Sequence, residues 1–265
     1  MDGLRAALVG FTLGLLQAAP ALAQDGTGLA KQLSNPISSL ISVPFQYNYN
    51  TGFLNGTATQ SFINIQPVIP FSIGEDWNLI SRTVIPVVSA SGFQPGGTQY
   101  GLSNTVQSLF FSPNRPTSGG LTWGAGPVIQ IPTATNGLGP SQWGLGLTAV
   151  ALKQANGWTV GALANHVWSV TNNEADGETS TTFLQPFVSY GTPKGTTFGV
   201  NTESTYNWIS GDWSVPINAT VSQIVKIGGK PVQLTGGARY WVQNPDGAAT
   251  GWGARLAVTY LFPKG

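Results

Sequence analysis

The chain has 265 residues, of which only 8% are charged, with a net charge of +1, 35 glycines and no cysteine. Soluble domains carry roughly 25% charged residues, so an ordinary water-facing surface is excluded, and the near-neutral balance leaves no electrostatic footprint for nucleic acid. Missing cysteine rules out disulfide frameworks and thiolate metal sites. A single histidine argues against an all-protein zinc site, so neither metal nor cofactor is expected.

Residues 1–23 read as a cleaved signal peptide: Arg5 supplies the positive charge, Ala6 to Leu16 the apolar centre, and Ala21-Leu22-Ala23 a small-x-small cleavage site. No stretch of about 18 apolar residues follows, which argues against a helical membrane protein. In residues 24–39, Leu29 and Leu33 stand one helical turn apart until Pro36 interrupts. The bland reading is a periplasmic lead-in, favoured over a small plug folded into a lumen.

From residue 40 to 262, twelve apolar, aromatic-bounded runs alternate with turn-like sequences: 40–49, 60–71, 77–88, 100–111, 121–132, 143–153, 157–169, 181–190, 196–208, 213–226, 232–243 and 251–262. Their lengths suit tilted membrane strands, and an even count returns both termini to the periplasm. The reading is all-β: one transmembrane antiparallel up-and-down β-barrel of about twelve strands in a bacterial outer membrane, with lipids and the barrel-assembly machinery as partners.

The connections agree, because such barrels alternate short periplasmic turns with longer outer loops. Those at 72–76, 154–156, 191–195 and 227–231 are short, with 112–120 the exception; those at 50–59, 89–99, 133–142, 170–180 and 244–250 are longer, with 209–212 the exception. Charge follows the same division. Arg115, Lys153, Lys194, Lys226, Lys230 and Lys264 fall on the periplasmic side, and Glu174, Asp176, Glu178, Asp212 and Asp246 on the outer side, with Glu75 and Asp76 the contrary pair. Trp143, Trp168, Trp208, Trp213, Trp241 and Trp252 fall at outer strand ends and Trp77, Trp123 and Trp158 at inner ends. With Tyr260 and Phe262 they form two aromatic girdles.

In 251–262, Trp252, Ala254, Leu256, Val258, Tyr260 and Phe262 share one apolar face, leaving Arg255 on the other. Asn218 and Thr220 oppose Val215, Ile217 and Val221, and Asn201 and Glu203 oppose Phe198 and Val200. A polar inside with an apolar outside is the barrel pattern. Runs 157–169 and 181–190 do not declare their faces. Prolines at 44, 67, 70, 86, 127, 132, 186 and 216 each remove a ladder donor, so bulges or irregular walls are expected near them. Gly144 and Gly146 lie on a strand, where they allow curvature or leave lumen space.

Phe62-Ile-Asn-Ile-Gln-Pro-Val-Ile-Pro, Trp77-Asn-Leu-Ile-Ser-Arg-Thr-Val-Ile-Pro, Trp143-Gly-Leu-Gly-Leu-Thr-Ala-Val-Ala-Leu-Lys and Gly161-Ala-Leu-Ala-Asn-His-Val-Trp-Ser resemble the bacterial outer-membrane proteins of the meta-pathway phenol-degradation family, labelled "transporter" or, misleadingly, "neuromedin U". The resemblance spans nearly the whole mature chain. It implies an outer-membrane barrel concerned with uptake of small, often aromatic, compounds, and it supplies no catalytic residues.

Arg82, Glu203, Arg239 and Arg255 are the charges that fall mid-strand. Facing lipid would cost ~2–4 kcal/mol each, so they belong in the lumen, either as a constriction that selects by charge or as a structural ion network. Asn64, Gln66, Asn201, Asn218 and Thr220 add polar lumen positions, with Ile80 and Val84 among them. His166 and Ser169 form the one nucleophile-like pairing near a histidine. Their spacing sends them to opposite faces of a strand, so His166 reads as a girdle or loop-facing residue beside Trp168. The function expected is passive passage of small amphiphilic or aromatic solutes. The alternatives are a non-transporting structural or surface-interaction barrel and, last, a lipid hydrolase.

Overall fold

The structure, a computed structural model, describes residues 23–94, 97–171 and 177–263. The leader assigned to 1–23 falls outside them but for Ala23, as do Glu174, Asp176 and Lys264. Among the described residues one α-helix, α1 (Ala23–Leu33), precedes twelve membrane strands. They are β1 (Ile41–Phe53), β2 (Ala58–Ile65 and Val68–Ile73), β3 (Trp77–Gln94), β4 (Gly97–Leu102 and Thr105–Pro113), β5 (Leu121–Ile131), β6 (Gly144–Ala155), β7 (Trp158–Ser169), β8 (Ser180–Gly191), β9 (Thr196–Thr202 and Ser204–Asn207), β10 (Asp212–Ile227), β11 (Lys230–Gln243) and β12 (Gly251–Phe262). Each pairs antiparallel with the next, and β12 pairs β1 from Ile41↔Phe262 to Asn50↔Gly253, so the sheet closes. Closure matters physically, since an open edge in hydrocarbon leaves backbone groups unpaired.

The side-chain alternation follows the expected hand. In β12, Trp252 is 67% exposed and Leu256 57%, whereas Arg255 is 3% exposed. The outward residues form the apolar belt that lipid covers, and aromatic contacts edge it at both ends. Trp77 meets Trp123 edge-on at 6.0 Å at the inner end, and Tyr240 meets Trp252 at 4.9 Å at the outer end. Ser81, Thr83 and Gln107 also share the outer face, but satisfy one another: Thr83 Oγ1 donates to Gln107 Oε1 (2.6 Å) and Gln107 Nε2 to Ser81 Oγ (3.0 Å). Hydrocarbon offers them no other partner.

The prolines disturb the wall where a partner must do without a donor. Opposite Pro86, β4 slips one residue at Ser103 and Asn104. Opposite Pro216, β9 breaks at Glu203, and the β10–β11 register shifts between Val215 and Pro216. Pro186 keeps its place in β8 without any shift. The loops expected at 50–59 and 89–99 are instead mostly strand, because β1–β2 and β3–β4 continue as hairpins past the belt.

Gly146 is fixed by close approach. A Cβ there would run into the carbonyl oxygen of His166 across the β6–β7 ladder. Gly146→Val is therefore expected to cost ~1–3 kcal/mol, read as a lower urea midpoint for barrel unfolding in lipid vesicles.

The lumen is lopsided. Ile80, Phe110, Val150, Leu152 and Leu163, with Val68, Phe183 and Phe187, pack into a dry cluster against the β3–β8 wall. The opposite wall, from β9 round to β3, borders a polar cavity of about 290 Å³. The dry half explains why 157–169 and 181–190 hid their faces: Leu163 and Phe187 point in while Val160 and Val188 point out, so both faces are apolar.

The N-terminal segment is divided between the two readings, its helix lying at the strand ends and the residues after it entering the lumen. Thr27 Oγ1 donates to the Pro193 carbonyl (2.9 Å) in the β8–β9 turn, and Gln154 Nε2 to the Lys31 carbonyl (2.8 Å), so α1 lies against the periplasmic ends of these strands. After it, Ile37, 5% exposed, enters the dry cluster, while Leu33, Asn35, Pro36 and Ser38 line the polar cavity.

Candidate functional site

Three of the four charges expected in the lumen converge on one network. Glu203 sits where β9 is interrupted, opposite Pro216, and its side chain accepts from β11 and β12, two and three strands away round the wall. Arg255 on β12 donates from Nη1 to Oε1 (3.0 Å) and from Nη2 to Oε2 (2.6 Å), while Arg239 on β11 donates from Nη2 to Oε2. The paired guanidinium–carboxylate fork fixes geometry as well as charge.

Amides extend the network round the wall. Arg255 Nε donates to Asn48 Oδ1 (2.8 Å) across the closing seam, and Arg239 Nε to Asn218 Oδ1 (2.7 Å). Asn218 Nδ2 then donates to Asn201 Oδ1 (2.8 Å). Asn48 and Asn218 are wholly buried, so each polar group in this layer needs its partner. Asn48 carries a role that sequence reasoning missed, although its even-numbered place in β1, beside Gln46 and Asn50, signalled a lumen position.

Arg82 stands apart. It hydrogen-bonds Gln66 (Nη2 to Oε1, 3.0 Å) and lines the polar cavity with Arg255, Asn201 and Thr220. Asn64 lies on the same inward face of β2, opposite Gln46 and Pro86. Ile80 and Val84 share the inward face of β3 with Arg82, Ile80 fully buried.

Eight tryptophans take girdle places with more than a third of their surface exposed, but Trp241 does not. It is two residues from Arg239 on the same face of β11, so it turns into the lumen instead of the outer girdle. There it lies beneath the Arg239 guanidinium (5.4 Å to the ring centroid) and donates to Asn50 Oδ1 (3.3 Å). A cation over an indole face is favourable, which ties Trp241 to the charge network.

At the outer mouth the β5–β6 connection packs against β4. Thr105 N donates to Thr133 Oγ1 (2.8 Å), Leu102 N to Thr135 Oγ1 (3.0 Å), and Asn104 Nδ2 to the Pro140 carbonyl (2.8 Å). The slipped rung at Ser103 and Asn104 frees the groups that hold this loop.

His166 takes its expected place in the outer girdle, 4.1 Å from the Trp168 ring. Ser169 is on the other face, where its Oγ accepts from Thr179 N (3.0 Å). The hydroxyls near His166 are Thr182 Oγ1, 2.7 Å from Nδ1, and Ser180 Oγ, 3.4 Å from Nε2. Thr182 also accepts from Trp208 Nε1 (2.8 Å). The histidine thus bonds to its girdle neighbours, and among the described residues no carboxylate contacts it.

Comparison with family models finds no match, and comparison with curated proteins finds none. Among solved structures, the chain is similar to an outer membrane channel from Pseudomonas putida F1, with 13% identity and a TM-score of 0.64, over 85% of this chain and 97% of that one. It is more loosely similar to outer membrane phospholipase A from Escherichia coli, with 12% identity and a TM-score of 0.49, over 85% and 99% of the two chains. At these identities the likeness concerns the fold. With the closed ladder, the apolar belt and the two girdles, it makes this chain a transmembrane β-barrel of the bacterial outer membrane.

Proposed function

We propose that the barrel is a passive channel for small solutes, amphiphilic or aromatic, of the kind implied by the resemblance to the phenol-degradation family. The observation that carries this reading is the polar half of the lumen. A wall bearing Arg82, Gln66, Asn201, Thr220 and Arg255 around a cavity of about 290 Å³ is a chemistry that water and solutes occupy. A barrel that only had to be stable would gain more by extending its dry core. Twelve strands lie between filled barrels and open porins, which suits a narrow path.

Purified protein in planar bilayers is expected to give discrete conductance steps, and proteoliposomes are expected to swell in small solutes. A barrel silent in both measurements would instead be a structural or surface-interaction protein. The seating of Ile37 in the lumen favours that second reading. We read the chain as non-enzymatic: lipid hydrolysis with calcium is expected to stay at background and to be unaffected by His166→Ala.

A further inference from the structure

Within the charge layer, three arginines face one glutamate. Both oxygens of Glu203 are taken by Arg239 and Arg255. Among the described residues Arg82 makes no direct ion pair, although the charge of Glu203 reaches it, and the one hydrogen bond of its guanidinium is to the neutral Gln66. A guanidinium offers five N–H donors in a planar fork, so most of this fork is unused. No carboxylate lines the cavity, yet Arg82 borders it, along with Gln66 and Thr220. The same cavity also presents Leu33, Pro36, Pro44 and Val68, an apolar patch beside a cation with spare donors.

From this arrangement we infer that the cavity is a binding site for a small organic monocarboxylate, with Arg82 holding the carboxylate and Leu33, Pro36, Pro44 and Val68 holding a one-ring or short aliphatic body. Two parallel N–H···O bonds from one guanidinium match a carboxylate and not a halide. Two further arginines share the single negative charge of Glu203, so the layer keeps an excess of positive charge that favours a negative ligand. The cavity's size admits a single small molecule. The inference names the solute class for the proposed channel and rests on that reading for transport, but binding itself does not require conduction.

The test is equilibrium binding of radiolabelled benzoate to the detergent-solubilised barrel, alongside single-channel recording with benzoate added to chloride. Saturable binding of about one benzoate per barrel is expected, with benzyl alcohol failing to compete. Arg82→Gln should weaken it roughly tenfold or more, the loss of one charged hydrogen-bonding partner. Arg82→Lys keeps the charge but not the fork and should fall between. The heat-modified shift on gels reports that each variant is folded. Binding that is absent, or equal in wild type and Arg82→Gln, overturns the inference. Binding that is lost in Arg82→Gln by a barrel that conducts nothing sustains the site while removing the channel.

Discussion

Glu203→Gln is expected to lower the unfolding free energy of the barrel by about 3–5 kcal/mol, the cost of stripping one partner from a buried ion group. Arg239 and Arg255, 3% and 4% exposed at their side chains, would face each other without the carboxylate between them. Asn48 and Asn218 each accept one bond from these arginines and carry no charge to replace it. Urea titration in vesicles, followed by tryptophan fluorescence, measures the loss. Trp241 reports locally, because its ring lies beneath Arg239. In bilayers, the reversal potential in a salt gradient should move toward the anion value, since the variant leaves three lumen arginines with no acid. A variant as stable as wild type with an unmoved reversal potential would make the cluster neither structural nor selective.

Removing the segment from Gln24 to Ser38 is expected to raise single-channel conductance several-fold. Leu33, Asn35, Pro36 and Ser38 form part of the cavity wall, and Ile37 anchors them in the dry cluster. Without the segment the cavity opens toward the periplasm, between the strand ends that α1 now borders. Ile37→Asp tests the same point with the chain intact, because a carboxylate cannot remain among Ile80, Phe110 and Leu152 without a partner. It should raise conductance and cost the ~2–5 kcal/mol typical of a lost aliphatic anchor. Equal conductance in wild type and both variants would remove the segment from the conducting path.

All twelve strands were legible in the sequence, because apolar runs of membrane-crossing length, most with an aromatic residue at one end or both, connect by turn residues. Faces were legible only where the interior is wet. Asn201, Asn218 and Arg255 contrast with their outward neighbours, so the alternation declares itself. Phe183, Phe187 and Leu163 do not contrast with Leu184, Val188 and Ala162, and no period survives. For Trp241 two signals conflict: the alternation that puts Arg239 in the lumen puts Trp241 there too, whereas its place near a strand end points to the girdle. Ile37 was not legible: a lone apolar residue in a Pro-Ile-Ser-Ser stretch gains meaning only from Ile80 and Phe110 beside it. Nor was the break at Glu203, which depends on the register that sets it opposite Pro216.

The division of the lumen into a dry half and a wet half also shapes its electric field. Phe110, Leu152 and Leu163 form a wall that polarises far less than water, so field lines leaving Arg82 and Arg255 are deflected into the polar cavity opposite. Low-dielectric walls focus a potential in this way, and a pair shielded from bulk ions is screened less than one on the surface. Added salt should therefore quench the influence of the exposed acids Asp212 and Asp246 well before it quenches that of the lumen arginines.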